Sequence, residues 1–140
     1  MSTSSKHHLS ARVGVLTVDD QAVFRRVARE VIEATEGFEM LGEASSGEEA
    51  LQLAETVEPD LFLVDVRMPG IDGPETARRL VAARPKSVVV LVSTEDPSAI
   101  SSAAGSCGAV ELIRKEDFAP ATLQRLWISH GPAARPPSSV

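Results

Sequence analysis

The sequence predicts an α/β fold in which helices cover both faces of a five-stranded parallel sheet. Short apolar runs alternate with segments of helical apolar spacing, five times along the 140 residues. Two runs, Leu61–Val64 and Val88–Val92, are continuously apolar, as in strands buried on both faces. The connections are short, so each strand is expected to follow the last by a right-handed crossover.

The first two strand–helix units are predicted from Val13 to Pro59. Val13–Val18 is the first strand, and Phe38–Ala44 is the second. The helix between them is expected to bury one face and to expose a charged one. The expected apolar face is Ala22, Val23, Val27, Val31 and Ile32, and the charged face is Arg25, Arg26, Arg29, Glu30 and Glu33. Ser46-Gly47-Glu48-Glu49 has the acidic first turn that is typical of a helix start.

The remaining units follow the same pattern. After the third strand, a loop containing Pro69 and Gly70 leads to a helix from about Asp72, its expected N-cap, to Arg84. A fourth helix, rich in Ser and Ala, is predicted after Val88–Val92, with Asp96 as N-cap and Pro97 at its first position. It should run to about Ser106 and be the least firmly packed. The fifth strand is predicted at about Val110–Ile113, and the last helix at about Pro120–Ser129, burying Leu123, Leu126, Trp127 or Ile128.

The composition predicts one globular domain, with bounds at residues 12–130. Residues 1–11 and the Pro- and Ser-rich residues 131–140 are expected to be tails. The net charge of −6 argues against non-specific binding to nucleic acid or to an anionic membrane, and no apolar stretch reaches the ~20 residues of a membrane span. The only cysteine, Cys107, cannot form an internal disulfide. We interpret it as a packing residue, and a reducing cytoplasm is the expected compartment.

Polar side chains follow four of the five predicted strands. Asp19 and Asp20 end the first run, Asp65 ends the third, Ser93 ends the fourth and Lys115 ends the fifth. Ligands of such folds bind outside the carboxyl ends of the strands, so these side chains are expected to converge at one sheet edge. Each has an ordinary role when taken alone, such as a solvated turn or a surface lysine. Their joint occurrence at four strand ends indicates a site.

The converging groups predict metal-assisted phosphoryl chemistry. Three carboxylates suit Mg²⁺ or Mn²⁺, which complete their ligand shells with water and phosphate oxygens. One of the carboxylates can also be a nucleophile, because aspartyl phosphate is a known kind of covalent intermediate. Asp65 is the expected one, because it lies at a strand end beside the loop with Pro69 and Gly70. Lys115 would neutralise charge on the phosphoryl oxygens, and the Ser93 hydroxyl would donate a hydrogen bond to one of them.

These residues resemble the receiver domain of bacterial two-component response regulators, of the single-domain, chemotaxis-regulator-like kind. The resemblance covers about Arg12 to Ser129 and is carried by VLTVDD, LFLVDVRMPGIDG, VVVLVST and GAVELIRK. It implies a flavodoxin-like (βα)5 fold. It also implies that Asp65 takes a phosphoryl group from the phosphohistidine of a sensor kinase or phosphotransfer protein, or from acetyl phosphate.

The resemblance also implies the role of each site residue. Asp20, Asp65 and the backbone carbonyl of Arg67 would ligate Mg²⁺, with Asp19 helping largely through water. Ser93 and Lys115 would bind the phosphoryl oxygens. The face formed by the predicted fourth helix, fifth strand and fifth helix would then rearrange and control a downstream protein effector.

The chain departs from the pattern of this family at three positions. Leu112 stands where many receivers carry Tyr or Phe as the partner of the switch hydroxyl, and the chain has no tyrosine. Glu116 replaces a common proline, and Glu111 replaces a common glycine. A lysine followed by an acid resembles receivers that precede a helix-turn-helix DNA-binding domain.

Three functional hypotheses follow. The first is a phosphorylatable regulator, monomeric or weakly dimeric, that is not an enzyme beyond promoting its own phosphorylation and dephosphorylation. It would bind no membrane and would not itself contact nucleic acid. The second is a phosphate-independent interaction module, suggested by Leu112, or a receiver fragment of a longer DNA-binding regulator. The third is a hydrolase, which is disfavoured because Arg67, and not an acid, stands two positions after Asp65.

Overall fold

A computed structural model describes residues 12–96 and 105–134, which form one parallel sheet with helices on both faces. The strands are β1 Val13–Val18, β2 Phe38–Ala44, β3 Leu61–Asp65, β4 Val88–Ser93 and β5 Glu111–Arg114. Their order across the sheet is β2-β1-β3-β4-β5, and every neighbouring pair is parallel. This is the flavodoxin-like order, whose switch point lies between β1 and β3. The predicted fold class is confirmed.

The described helices lie close to their predicted positions. They are α1 Ala22–Ala34, α2 Gly47–Val57, α3 Gly73–Ala83 and α4 Pro120–His130, with short 3-10 turns at Lys115–Asp117 and Pro132–Ala134. Ser46 caps α2 and Asp72 caps α3, each accepting a hydrogen bond from a backbone N–H in the first turn. Helix α4 is the predicted fifth helix, because most of the predicted fourth helix lies outside the described residues. No helix in residues 12–96 or 105–134 is long and apolar enough to cross a membrane.

The core consists of two apolar layers, one on each face of the sheet. The first layer lies under α2 and α3 and includes Phe62, Leu80, Leu91 and the buried Cys107. The second layer lies under α1 and α4. It contains Phe24, Ala28, Ile32, Phe118, Leu123 and Leu126. Burial of Cys107 agrees with its interpretation as a packing residue.

The predicted buried face of α1 was partly wrong. Val23 and Val27 are 72% and 42% exposed, whereas Phe24, Ala28 and Ile32 face the sheet. Two apolar stripes lie side by side on this helix, and the larger Phe24 ring occupies the interior. In the last helix, Ile128 is likewise 74% exposed, although Leu123 and Leu126 are buried as predicted.

The pairing of β1 with β2 contains one irregularity. Val15 pairs with Met40, but the next residue, Leu16, pairs with Gly42, so Leu41 is the extra residue of a bulge. A Cβ atom at Gly14 would lie 2.8 Å from Cγ of Leu41, so a larger residue there would require the bulged side chain to move.

Candidate functional site

The loop after β1 holds two carboxylates in different environments. Asp19 is 1% exposed, whereas Asp20 is exposed to solvent. Asp19 Oδ1 accepts a hydrogen bond of 2.8 Å from the Gln21 backbone N–H, just before α1 begins. The Asp19 N–H donates to the carbonyl of Ala44 at the end of β2. Asp19 is therefore held by both neighbouring segments.

Asp65 is the last residue of β3 and is 7% exposed. Two backbone hydrogen bonds of Val66 hold the chain just after Asp65. The Val66 N–H donates to the Val92 carbonyl on β4, and the Val66 carbonyl accepts from the Gly73 N–H, both at 2.9 Å. A Cβ atom at position 73 would lie 2.6 Å from the Cα of Val66 and would also clash with the Asp65 carbonyl. Gly73 thus lets α3 begin directly against the backbone that carries Asp65.

Lys115 brings its ammonium group between the two buried carboxylates. Its Nζ lies 2.6 Å from Oδ2 of Asp19 and 3.5 Å from Oδ1 of Asp65. The side chain is only 10% exposed, so these charges interact with little screening by water. The predicted convergence of the ends of β1, β3 and β5 is present in the structure.

Within the part of the chain that the structure describes, three carboxylates at this site face the single ammonium of Lys115. Burial, followed by the nearby Asp19 carboxylate, raises the pKa of Asp65 to about 6, and Lys115 only partly opposes this rise. A carboxyl group with this pKa is partly protonated near neutral pH. Additional positive charge at the site would favour its ionised form.

The donor set fits a hard divalent cation. Asp19, Asp20 and Asp65 each offer a carboxylate oxygen, and these atoms all lie within 4.8 Å of one another. Asp19 Oδ2 is buried, and the contact described for it is the ion pair with Lys115 Nζ at 2.6 Å. A carboxylate oxygen has two lone pairs, so one ion pair leaves acceptor capacity for a metal ion. All three donors are oxygens, which favours Mg²⁺ or Mn²⁺ over softer metals.

The fourth strand contributes Ser93, which is 3% exposed. Its Oγ accepts a hydrogen bond of 2.9 Å from the Glu95 N–H, which leaves the hydroxyl hydrogen available to a ligand. Glu95 also forms an exposed ion pair of 2.8 Å with Arg67. No described contact involves the Arg67 carbonyl, so its role as a metal ligand stays a prediction.

Arg25 is a supporting residue that the sequence analysis placed on the solvated face of the first helix. Its Nη1 donates a hydrogen bond of 2.6 Å to the Asp19 carbonyl, and its Nε lies 3.2 Å from Glu43 Oε1 on β2. The guanidinium thus fixes the backbone of Asp19 against β2. Helical periodicity gives no sign of this role, because the partners of Arg25 lie on two other segments.

The fold and this set of side chains are typical of a signalling domain, and comparison with known proteins identifies the family. The sequence model of the response regulator receiver domain matches residues 15–126. The chain therefore belongs to the receiver domain family of two-component response regulators.

Individual relatives agree with this assignment. The chain is 42% identical over 105 residues to protein-glutamate methylesterase/protein-glutamine glutaminase 5 of Myxococcus xanthus, an alignment that covers 74% of the chain and 30% of that protein. It is 42% identical over 87 residues to the response regulator GacA of Pseudomonas aeruginosa, covering 61% of the chain and 41% of GacA. The chain thus spans less than half the length of these relatives.

Solved structures of receiver domains superpose closely on the chain. The response regulator domain of Thermotoga maritima CheB matches with a TM-score of 0.74 at 29% identity, over 85% of this chain and 96% of that one. The receiver domain of NarL from Mycobacterium tuberculosis matches with a TM-score of 0.75 at 30% identity, over 84% and 94% of the two chains.

Proposed function

We propose that this receiver domain accepts a phosphoryl group on Asp65 and passes the change to a protein partner. One observation carries the proposal: Asp65 is a buried strand-end carboxylate that has two further carboxylates within metal-binding distance and an ammonium 3.5 Å from its Oδ1. A nucleophile, a cation site and a phosphate-binding cation are together what phosphoryl transfer to a carboxylate requires.

The chemical step is a displacement at phosphorus. A carboxylate oxygen of Asp65 forms a bond to phosphorus as the bond from phosphorus to the donor breaks. With a phosphohistidine donor, the electron pair of the P–N bond leaves with the imidazole nitrogen, which takes a proton from water. With acetyl phosphate, the P–O bond breaks and acetate leaves. Lys115 then balances charge on the phosphoryl oxygens, and Ser93 donates a hydrogen bond to one of them.

Asp20, Asp65 and the Arg67 carbonyl would hold Mg²⁺, or Mn²⁺ in its place, with Asp19 acting largely through water. When bound, the divalent cation supplies positive charge that keeps Asp65 ionised and neutralises the phosphoryl oxygens. Asp20 is exposed and lies at the open side of the cluster. Asp19 balances the Lys115 ammonium before a phosphoryl group arrives.

The output would involve β5 and its neighbours. Arrival of a phosphoryl group would draw the Ser93 hydroxyl away from the Glu95 N–H and toward a phosphoryl oxygen. The segment between β4 and β5, together with β5 and α4, would then change its preferred arrangement. Sensor histidine kinases or phosphotransfer proteins are the expected donors, and a protein effector is the expected target.

We also propose the bounds of the domain, its compartment and its relation to an effector. Residues 12–130 would form the receiver, flanked by tails at residues 1–11 and 131–140, in the cytoplasm. The receiver itself would not be an enzyme, although the methylesterase relatives join the matching region to a catalytic activity. In a longer protein, the effector would be an attached domain.

The first experiment is intact-mass spectrometry after incubation with Mg²⁺ and acetyl phosphate. Wild type should gain one phosphoryl group, and Asp65→Asn should gain none. Asp72→Asn is a matched control, because asparagine still caps α3 and the variant should be phosphorylated like wild type. Equal incorporation by wild type and Asp65→Asn would contradict the assignment of Asp65. No incorporation from either acetyl phosphate or a phosphorylated kinase would contradict the function.

A second candidate is an interaction module that does not depend on phosphate. The observation that favours it is Leu112, which packs against the first apolar layer where many receivers have an aromatic switch partner. Beryllofluoride, a phosphoryl mimic, would distinguish the two in an NMR titration. Shifts confined to the surroundings of Asp65 would favour this candidate, whereas shifts extending along β5 and α4 would favour phosphorylation-dependent switching.

A further inference from the structure

The Lys115 ammonium has a third neighbour besides the two carboxylates. Its Nζ lies over the Phe24 ring, 4.8 Å from the ring centroid. This distance is within the range of a cation–π interaction, in which the negative face of an aromatic ring attracts a cation. Phe24 is 8% exposed, so little water competes for the ammonium on that side.

A second aromatic residue supports the Phe24 ring. Phe118 packs against it in a tilted arrangement, with ring centroids 6.2 Å apart and an interplanar angle of 52°. The Phe118 N–H donates to the Lys115 carbonyl at 3.2 Å, so Phe118 is also tied to the backbone of the lysine. These contacts connect the first turn of α1 to the end of β5.

The Phe24 ring differs from the carboxylates in what happens to it during phosphorylation. A metal ion would share the oxygens of Asp19 and Asp65 with the ammonium, and a phosphoryl group would bond to one oxygen of Asp65. Both would therefore change the negative charge that the ammonium meets at these carboxylates. The ring keeps the same charge distribution throughout. It therefore provides a partner for the ammonium that is present in every state of the site.

We propose that Phe24 is a positioning residue that holds the Lys115 ammonium over its ring and in reach of the phosphoryl oxygens on Asp65. This rests on the proposed phosphorylation of Asp65. Phe24 does not replace the aromatic residue absent at Leu112, because Phe24 lies in the second apolar layer and Leu112 packs against the first. The role is distinct from filling the core, because it depends on the electrostatics of the ring as well as on its volume.

The test is to replace Phe24 with phenylalanines bearing one, two and three fluorines. Each fluorine weakens the negative potential of the ring face with little change in size. The rate of phosphorylation by acetyl phosphate should fall stepwise, about three- to tenfold over the series. Phe24→Leu should be slow, and Phe24→Trp should recover much of the rate. The matched control is the same fluorine series at Phe38, a buried residue at the start of β2, which should leave the rate unchanged.

A second measurement separates this proposal from the function on which it depends. In the metal-free protein, the ring current of Phe24 should shift the NMR signals of the Lys115 methylene protons nearest the ammonium. Fluorination should reduce that shift stepwise as the contact loosens. Rates and shifts that do not change with fluorination at Phe24, or that change equally at Phe38, would overturn the positioning role. If wild type is not phosphorylated by any donor, the proposed function fails, while the NMR series still decides whether Phe24 holds Lys115.

Discussion

Strand β5 has an ion cluster near each end, and the two clusters have opposite ratios of acidic to basic groups. At its start, the single carboxylate of Glu111 faces two basic groups: Arg125, at 2.9 and 3.0 Å, and His130, at 2.7 Å. Just beyond its end, the single ammonium of Lys115 faces the carboxylates of Asp19 and Asp65.

The pKa values follow this difference. Hydrogen bonding to Arg125, with a smaller effect of His130, lowers the pKa of Glu111 despite partial burial. Burial and Asp19 instead raise the pKa of Asp65 to about 6. The first cluster is satisfied by its own residues and stabilises the fold, whereas in the second the ionised form of Asp65 is disfavoured unless further positive charge is present. Functional sites commonly retain such unfavourable charge, because their ligand is what relieves it.

The largest expected effect comes from removing Lys115, the only cation among residues 12–96 and 105–134 that pairs with both buried carboxylates. Lys115→Met should lower the free energy of unfolding by about 2–3 kcal/mol at neutral pH, because Asp19 loses its partner inside the protein. Urea denaturation measures the change. Lys115→Arg, which keeps the charge, should lose less. The loss should shrink near pH 5, where Asp65 takes up a proton, and a loss independent of pH would contradict this account.

The next prediction is a substitution that stabilises the folded protein. Asp65→Asn should raise the free energy of unfolding of the metal-free protein by up to about 3 kcal/mol at pH 7.5, since each unit of pKa shift corresponds to ~1.4 kcal/mol. The pKa of Asp65 is raised from 3.8 to about 6, so the folded state binds more protons than the unfolded state between these values. The carboxylate's penalty is therefore complete above about pH 6, decreases as the pH falls, and is absent below about pH 3.8.

Parallel urea titrations of wild type and Asp65→Asn from about pH 4 to pH 7.5 test this sign. Adding Mg²⁺ should stabilise wild type more than the variant, because the ion then offsets the repulsion that the substitution has already removed. A variant less stable than wild type throughout the pH range would contradict the prediction.

A smaller effect, with the reverse pH dependence, is expected at the other end of β5. Glu111→Gln should cost about 0.5–1 kcal/mol at neutral pH, because it loses the two-point ion pair with Arg125. The lowered pKa of Glu111 means that this stabilisation is complete above its ordinary value of 4.5 and disappears as the pH falls through the folded-state pKa. Thermal unfolding of wild type and variant at neutral and at acidic pH should therefore converge in acid. An equal difference in thermal stability between wild type and Glu111→Gln at neutral and at acidic pH would contradict this prediction.

The smallest effect is expected for the exposed ion pair beside the proposed phosphorylation site. Arg67→Ala should leave the free energy of unfolding nearly unchanged, because the Arg67 side chain is 69% exposed. A double-mutant cycle with Glu95→Gln in urea should give a small coupling energy that disappears in high salt. A coupling energy that persists in high salt would mean that this pair is screened far less than its exposure implies.

Much of this architecture was predictable because the information is local. The continuously apolar runs at Leu61–Val64 and Val88–Val92, and the caps at Ser46 and Asp72, require only the chemistry of neighbouring residues. The approach of Asp19, Asp65 and Lys115 was predictable too, since a parallel sheet brings the carboxyl ends of its strands to one edge.

The supporting contacts were not predictable, because they depend on how a helix is rotated against the sheet. Val23 and Phe24 are both apolar neighbours, and periodicity alone does not decide which of them faces inward. The inward position of Phe24 creates its contact with Lys115, and that of Arg25 creates its contact with Asp19. Both contacts join segments that are far apart in the sequence.

The bulge at Leu41 has a consequence for the behaviour of the protein at high concentration. A five-stranded open sheet has two free edges, and a regular edge strand can pair with the same edge of another molecule and seed aggregates. Here one edge, β5, is only four residues long, and the other, β2, is interrupted at Leu41. Neither edge offers a long, regular row of backbone donors and acceptors, so the sheet is poorly suited to extension by a second chain.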